Sequence, residues 1–200
     1  TLITRRPQFV LVPRDIEQLL EQDFHVKLNV VVMKDLNDDE IHDFIAWTGQ
    51  APVHVRFIEF MPFSGNGWNS SKVVTLDQIL QTIAERYEFV PLRRASHETA
   101  KKFKVPGHEG TFAVISTMSS HFCGDCNRLR LTADGKLKNC LFSKGETDLL
   151  TAYRNGTDIL PLIQDNVRGK ALQLGGQLIP DFASLPADRI QNRSMITIGG

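Results

Sequence analysis

The sequence predicts an α/β fold: a strand–helix–strand unit first, then an α+β part carrying a cysteine hairpin. Three observations predict it. Two β-rich apolar runs, KLNVVVM (27–33) and VHVRFIEF (53–60), flank an amphipathic helical stretch with short joins. A βαβ unit of that kind implies a parallel sheet with helix-covered faces. The composition then changes at MPFSGNGWNSSK (61–72), where Gly65, Asn66 and Gly67 mark a loop. Beyond it, all three cysteines, Cys123, Cys126 and Cys140, fall in one stretch, HFCGDCNRLRLTADGKLKNCLF. The expected division is therefore residues 1–62 and residues 63–200.

The elements follow in order. DIEQLLEQD (15–23) reads as a short helix, and KLNVVVM as the first strand. Asn37 with Glu40 three residues on has the spacing of a capping box, and Ile41, Phe44, Ile45 and Ala46 share one helical face behind it. After the second strand, Thr75 and Gln78 give another capping-box signal. It opens a helix to about Glu88 with the stripe Leu76, Ile79, Leu80, Ile83 and Tyr87. FAVISTM (112–118) is a further strand, and 146–154 and 157–173 read as helices. Pro161 must sit in the first turn of the second of these.

Composition excludes some classes. Lys+Arg and Asp+Glu balance at 23 each, so the summed field that a nucleic-acid duplex needs is missing. A local basic pocket for one small anion remains compatible with that balance. No apolar run approaches the ~20 residues of a bilayer span, and no secretory signal is visible. An odd cysteine count argues against a disulfide framework and for a reducing compartment. The opening TLITRRPQFVLVPR carries no Met and no clear domain-start role, so more chain is expected upstream.

Both early strands contain polar residues that a buried parallel strand would exclude. Lys27 and Asn29 point to one face of the first; Arg56 and Glu59 interrupt the second. Such residues either reach solvent at strand ends or face a barrel lumen and active-site mouth.

In the cysteine stretch, RLRL (128–131) alternates charge and apolar, placing Arg128 and Arg130 on one face of a half-buried strand. Asp134-Gly135 signals a hairpin turn. A two-residue turn would set Cys140 opposite Leu129. A three-residue Ala133-Asp134-Gly135 loop with Gly135 left-handed sets Cys140 opposite Arg128, and that register is the expected one. C-x2-C followed by a third cysteine is metal-ligand spacing, and three unconnected buried thiols are a poor account of it. A zinc site needs a fourth ligand, for which His121 is the nearby candidate. An iron–sulfur cluster with three cysteines leaves one iron open. Spacing alone leaves both open. Paired guanidiniums on a strand are often a solvated face; beside a metal site they suit phosphate or carboxylate.

Four segments then carry a family resemblance, in order along the chain from about residue 24 to residue 200. They are VKLNVVVMKDLNDDEI, VRFIEFMPFSGNGWN, FCGDCNRLRLTADGKLKNCLF and the terminal Gly199-Gly200. They resemble the C-terminal half of the MoaA family, the GTP 3′,8-cyclases of molybdenum cofactor biosynthesis. The resemblance implies a radical S-adenosylmethionine (SAM) enzyme, a lyase, built on an incomplete (β/α) barrel followed by a smaller α+β cluster-binding domain. In that family an N-terminal [4Fe-4S] cluster cleaves SAM to a radical that takes hydrogen from the ribose C3′ of GTP, and the carbon radical attacks C8 of guanine. A second [4Fe-4S] cluster, with one open iron, meets the purine.

The resemblance implies Cys123, Cys126 and Cys140 as ligands of that second cluster, and Lys27, Arg56, Arg128, Leu129 and Arg130 as GTP contacts. It further implies Met61 as a SAM contact and Gly199 and Gly200 as a tail reaching the active site. No residue of this segment is assigned a catalytic step. The family's N-terminal C-x3-C-x2-C motif is absent from this sequence, and residues 1–14 do not resemble the family. The chain by itself is therefore expected not to cleave SAM. Implied partners are GTP, the missing N-terminal radical-SAM half, a second copy (the family often dimerises) and the downstream cyclic pyranopterin monophosphate synthase. Neither nucleic acid nor membrane is expected. The implied compartment is the cytoplasm, or the mitochondrial matrix in a eukaryote.

Overall fold

The computed structural model describes residues 11–177, 181–185 and 190–198. Helix α1 (Leu11–Glu21) leads to β1 (Lys27–Val32), α2 (Ile41–Gln50) and β2 (His54–Glu59). Then come α3 (Leu76–Ala84), β3 (Val90–Pro91), β4 (Lys101–Lys104) and β5 (Thr111–Ile115). These five strands form one mixed sheet in the order β1-β2-β5-β4-β3. Strands β1, β2 and β5 run parallel, while β4 and β3 return antiparallel. The boundary expected after residue 62 falls inside this sheet, since β1 and β2 precede it and β3 to β5 follow. A second sheet, β6 (Arg130–Leu131), β7 (Lys136–Lys138) and β8 (Thr147–Asp148), carries α4 (Leu149–Arg154) and α5 (Leu160–Arg168) behind it. The short α6 (Met195–Ile198) closes the described chain. Among the described residues no helix is long and apolar enough to cross a membrane.

The period-two pattern of the strands decides which face is buried. Val30, Val32, Val55, Phe57, Phe112 and Val114 point inward and meet Ile41, Ile45, Leu76, Ile79 and Ile83 of α2 and α3 in one core. Ile16 and Leu20 of α1 pack against the same core. The opposite positions, Lys27, Asn29, Val31, His54, Arg56 and Ile58, are partly or fully exposed. The parallel sheet with helix-covered faces implied by the βαβ unit is corrected: the sheet is mixed, and its second face carries the polar residues read as reaching solvent or a lumen. Helices α1 to α3 cover one face, and the polar residues of the strands lie on the other. Two positions depart from this alternation: Ala113, beside Arg56, is fully buried on the polar face, and Glu59 is polar yet fully buried.

Glu59 is satisfied by the chain around it. Its carboxylate accepts the backbone N–H groups of Leu76 (2.8 Å), Met118 (2.7 Å) and Ser119 (2.9 Å), and the hydroxyl of Ser119. It thus fastens the end of β2 to the first turn of α3 and to the segment after β5. The capping box at Thr75 and Gln78 is present as the sequence predicts. The one at Asn37 is not. A 3-10 turn, Asp38–Glu40, precedes α2, and Asn37 instead accepts from Met33 N–H at 2.8 Å and donates to the Val31 carbonyl at 3.0 Å. The helix expected to Glu88 ends at Ala84, and that expected over 157–173 runs only Leu160–Arg168, with Pro161 in its first turn. Gly169 caps it, and the next five residues leave the helix for a different task.

Candidate cluster and anion site

The cysteine hairpin has the expected register. Arg130 pairs with Lys138 and Leu131 with Leu137. The chain reverses through Thr132 to Lys136, with Thr132 N–H donating to the Lys136 carbonyl at 2.9 Å. Gly135 is left-handed at φ +74, and a Cβ there would stand 2.3 Å from Leu150 Cβ, so glycine is required on both counts. Continued past Arg130 and Lys138, the same register sets Cys140 opposite Arg128. The half-buried strand expected from RLRL is corrected: Leu129 and Leu131 are 44% and 65% exposed. The ladder is only two residues long.

Cys123, Cys126, Cys140, Arg128, Leu129 and Arg130 all line one cavity of about 390 Å³. All three thiols are free and half-buried. Burial pushes the Cys123 thiol up, opposed by the Leu174 N–H, and its two sister thiols add to the rise. That N–H donates to Cys123 Sγ at 3.2 Å. The Lys170 ammonium lies 3.6 Å from Cys126 Sγ and donates to the carbonyls of Cys126 (2.8 Å) and Arg128 (3.0 Å). Arg128 donates to Thr99 Oγ1 at 2.9 Å and stands over the Phe122 ring at 5.6 Å. Burial and the neighbouring Arg128 lower the pKa of Arg130, while Cys140 raises it. Asp125, inside the C-x2-C loop, accepts from Arg94 (3.1 Å) and from His97 N–H (2.9 Å), which ties the 94–99 loop to the cysteines.

His121 is held elsewhere. Its Nε2 is 2.9 Å from Gln173 Oε1, and it does not line the cavity. Among the described residues no group of three or more His, Cys, Asp or Glu is arranged around a single metal ion. Met61 does not line the cavity; like Cys123 and Cys140 it packs against an apolar cluster that includes Phe60, Phe63, Trp68 and Phe142. Lys27 and Arg56 are absent from the cavity wall and sit on the open face of the first sheet, where Arg56 Nε donates to Asn29 Oδ1 at 2.8 Å. That face is basic. Burial, then Arg56, Lys27 and Lys102, depress the His54 pKa to about 4. Gly199 and Gly200 lie outside the described residues, although Ile198 before them is fully buried in the apolar cluster beside the cysteines.

This segment of sequence has known relatives. Residues 53–174, more than half of the chain and all of the cysteine hairpin, match the family model described as Molybdenum Cofactor Synthesis C. The chain belongs to that family. Similar to it are molybdenum cofactor biosynthesis protein 1 of Mus musculus, 43% identical over 202 residues (98% of this chain, 31% of the relative). The mitochondrial GTP 3′,8-cyclase of Arabidopsis thaliana is 41% identical over 204 residues (99% and 50%). The GTP 3′,8-cyclase of Syntrophomonas wolfei is 43% identical over 158 residues (78% and 48%). The chain spans half or less of the length of these relatives.

Within this Molybdenum Cofactor Synthesis C chain, several residues of the site were not legible beforehand. Lys170 and Leu174 arrive from beyond α5, and Leu174 does so at φ +50, a left-handed backbone that costs a side-chain-bearing residue about 1–2 kcal/mol. Lys138, only 1% exposed in the cavity wall, donates to the Ser143 carbonyl at 2.6 Å and pairs with Glu146 at 3.5 Å. The one local signal was the pair Gly175-Gly176 just after Leu174, both left-handed in the structure.

Proposed function

We propose that this chain is the substrate-capturing portion of a radical-SAM GTP 3′,8-cyclase of molybdenum cofactor biosynthesis. The observation that carries the reading is the shared cavity: three thiols and two arginines converge on it. The site's chemistry suits an iron–sulfur cluster. Thiolates are the usual cluster ligands, and donors aimed at their sulfurs, here Lys170 and the Leu174 N–H, are the usual outer partners. When bound, a [4Fe-4S] cluster on Cys123, Cys126 and Cys140 supplies an open iron to the purine.

The remaining roles belong to the chain's own side chains. Arg128 and Arg130 present planar forks that match phosphate oxygens, and Leu129 between them adds an apolar contact at the cavity rim. Lys27 and Arg56 add positive charge from the open sheet face, which in this reading is the lumen of a partial (β/α) barrel. Met61, packed against the same apolar cluster as Cys123 and Cys140, is assigned to SAM, and Gly199-Gly200 to the active-site tail. SAM cleavage is assigned to an N-terminal half that this sequence does not contain, so the chain alone is expected to bind GTP without converting it. A second copy and the pterin-forming enzyme that follows are the proposed partners. The compartment is the cytoplasm, or the mitochondrial matrix in a eukaryote.

The reading is tested by reconstituting the chain anaerobically with iron and sulfide and analysing its metal. Iron with acid-labile sulfide, lost in a Cys140→Ser variant, supports it. One zinc per chain and no sulfide would replace it with a zinc-stabilised binding module.

A further inference from the structure

The segment that follows α5 does more than place two donors at the sulfurs. Lys170 sits directly after the capping residue Gly169, and its own N–H donates to the Val167 carbonyl at 3.1 Å. Its ammonium then reaches forty-four residues back in sequence. An ammonium has three donors, and three acceptors surround this one: the carbonyl of Cys126, the carbonyl of Arg128 and the sulfur of Cys126. Four residues on, Leu174 aims its N–H at Cys123 Sγ. Between them Gln173 holds His121. The far end is wedged: a Cβ on Gly175 would stand 2.5 Å from the Phe142 backbone, two residues beyond Cys140. One five-residue strap thus touches residues 121, 123, 126 and 128 and delivers donors to two of the three sulfurs.

We infer that the strap 170–174 supplies the outer hydrogen bonds of the three-thiol site. Lys170 is a positioning residue whose ammonium sets the reduction potential of the cluster held there. This rests on the reading of the three cysteines as cluster ligands. Hydrogen bonds to ligand sulfurs and nearby charge are among the determinants of cluster potential. Reduction adds one electron to the cluster, so a fixed cation and an N–H donor at the sulfurs favour the reduced form and raise the potential. A lysine that merely laced two carbonyls together would leave the potential unchanged once the loop was held by other means.

The test is a redox titration of the reconstituted chain, with dithionite as electron donor and EPR as readout, on parent, Lys170→Arg, Lys170→Gln and Lys170→Met. Circular dichroism checks the fold of each. Gln keeps a donor for the carbonyls but removes the charge, so it serves if Met fails to load. The expected result is a midpoint lower in Gln or Met by about tenfold in the reduction equilibrium, about 59 mV for one electron, with Arg close to parent. Loaded Gln or Met protein titrating at the parent midpoint overturns the inference while leaving the cluster reading intact. A parent chain that loads no iron–sulfur cluster overturns both.

Discussion

Arg193 grips Asp134 through two parallel hydrogen bonds, Nη1 to Oδ1 at 2.9 Å and Nη2 to Oδ2 at 2.8 Å. Its other edge holds Glu146, with Nε at 2.6 Å and Nη2 at 2.5 Å from the two carboxylate oxygens. One guanidinium therefore joins the turn of the cysteine hairpin, the loop before β8 and the C-terminal segment. Asn192 adds a bond to the carbonyl of Leu141, next to Cys140. Arg193 thus fastens residues 192–193 to the hairpin that carries Cys140.

The Arg193 contacts have a pH signature. The Arg193 hydrogen bonds hold both Asp134 and Glu146 below their ordinary carboxylate values. A depressed folded pKa contributes stability that is complete above the unfolded value and is lost as pH falls toward the folded one. Arg193→Met should thus melt several degrees below parent at neutral pH. The gap should narrow only below about pH 4, where unfolded carboxylates protonate. Melting curves across pH 2–8 check this; a gap independent of pH contradicts it.

Glu59→Ala should destabilise the chain by about 3–5 kcal/mol, because it leaves the buried N–H groups of Leu76, Met118 and Ser119 without an acceptor. Glu59→Gln keeps one oxygen and turns an amide nitrogen toward the remaining donors, so a smaller loss of about 1–3 kcal/mol is expected. Urea denaturation with an unchanged slope measures both.

Arg128→Ala and Arg130→Ala should each weaken GTP binding to the reconstituted chain by about 1.5–3 kcal/mol if a charge-assisted bond is lost, roughly ten- to a hundred-fold in Kd. Binding should also weaken with salt. Calorimetry on the single and double variants decides it, and unchanged affinity in the double variant removes both arginines from the GTP site.

Gly175→Ala places a methyl against the backbone of Phe142 and Ser143, at 2.5 and 2.6 Å, on a residue at φ +66. Backbone cannot yield as a side-chain tip can, so a loss of about 1–3 kcal/mol is expected. Gly145→Ala, whose Cβ meets nothing within 4 Å, is the control and should differ little from parent in the same denaturation experiment.

What the sequence disclosed, and what it hid, follows the range of the forces involved. The hairpin register was legible because Ala133-Asp134-Gly135 encodes its own turn, and the Thr75–Gln78 box because both partners lie within one helical turn. Asn37 had the same local pattern, yet its side chain found Met33 and Val31 behind it rather than the helix ahead. The open sheet face was legible in Lys27, Asn29 and Arg56, polar residues at positions where a strand covered on both faces would be apolar. Lys170 and Arg193 were illegible: their partners lie 44 and 59 positions away, and no spacing rule reaches that far.

In the proposed function, Cys123, Cys126 and Cys140 hold a cluster whose open iron meets GTP. EPR of the anaerobically reconstituted, reduced chain, recorded with and without GTP, tests it most directly. A four-iron signal that shifts when GTP is added, and no longer shifts when Arg128 and Arg130 are both alanine, is the predicted result. A signal indifferent to GTP, or stoichiometric zinc in place of any cluster, contradicts it.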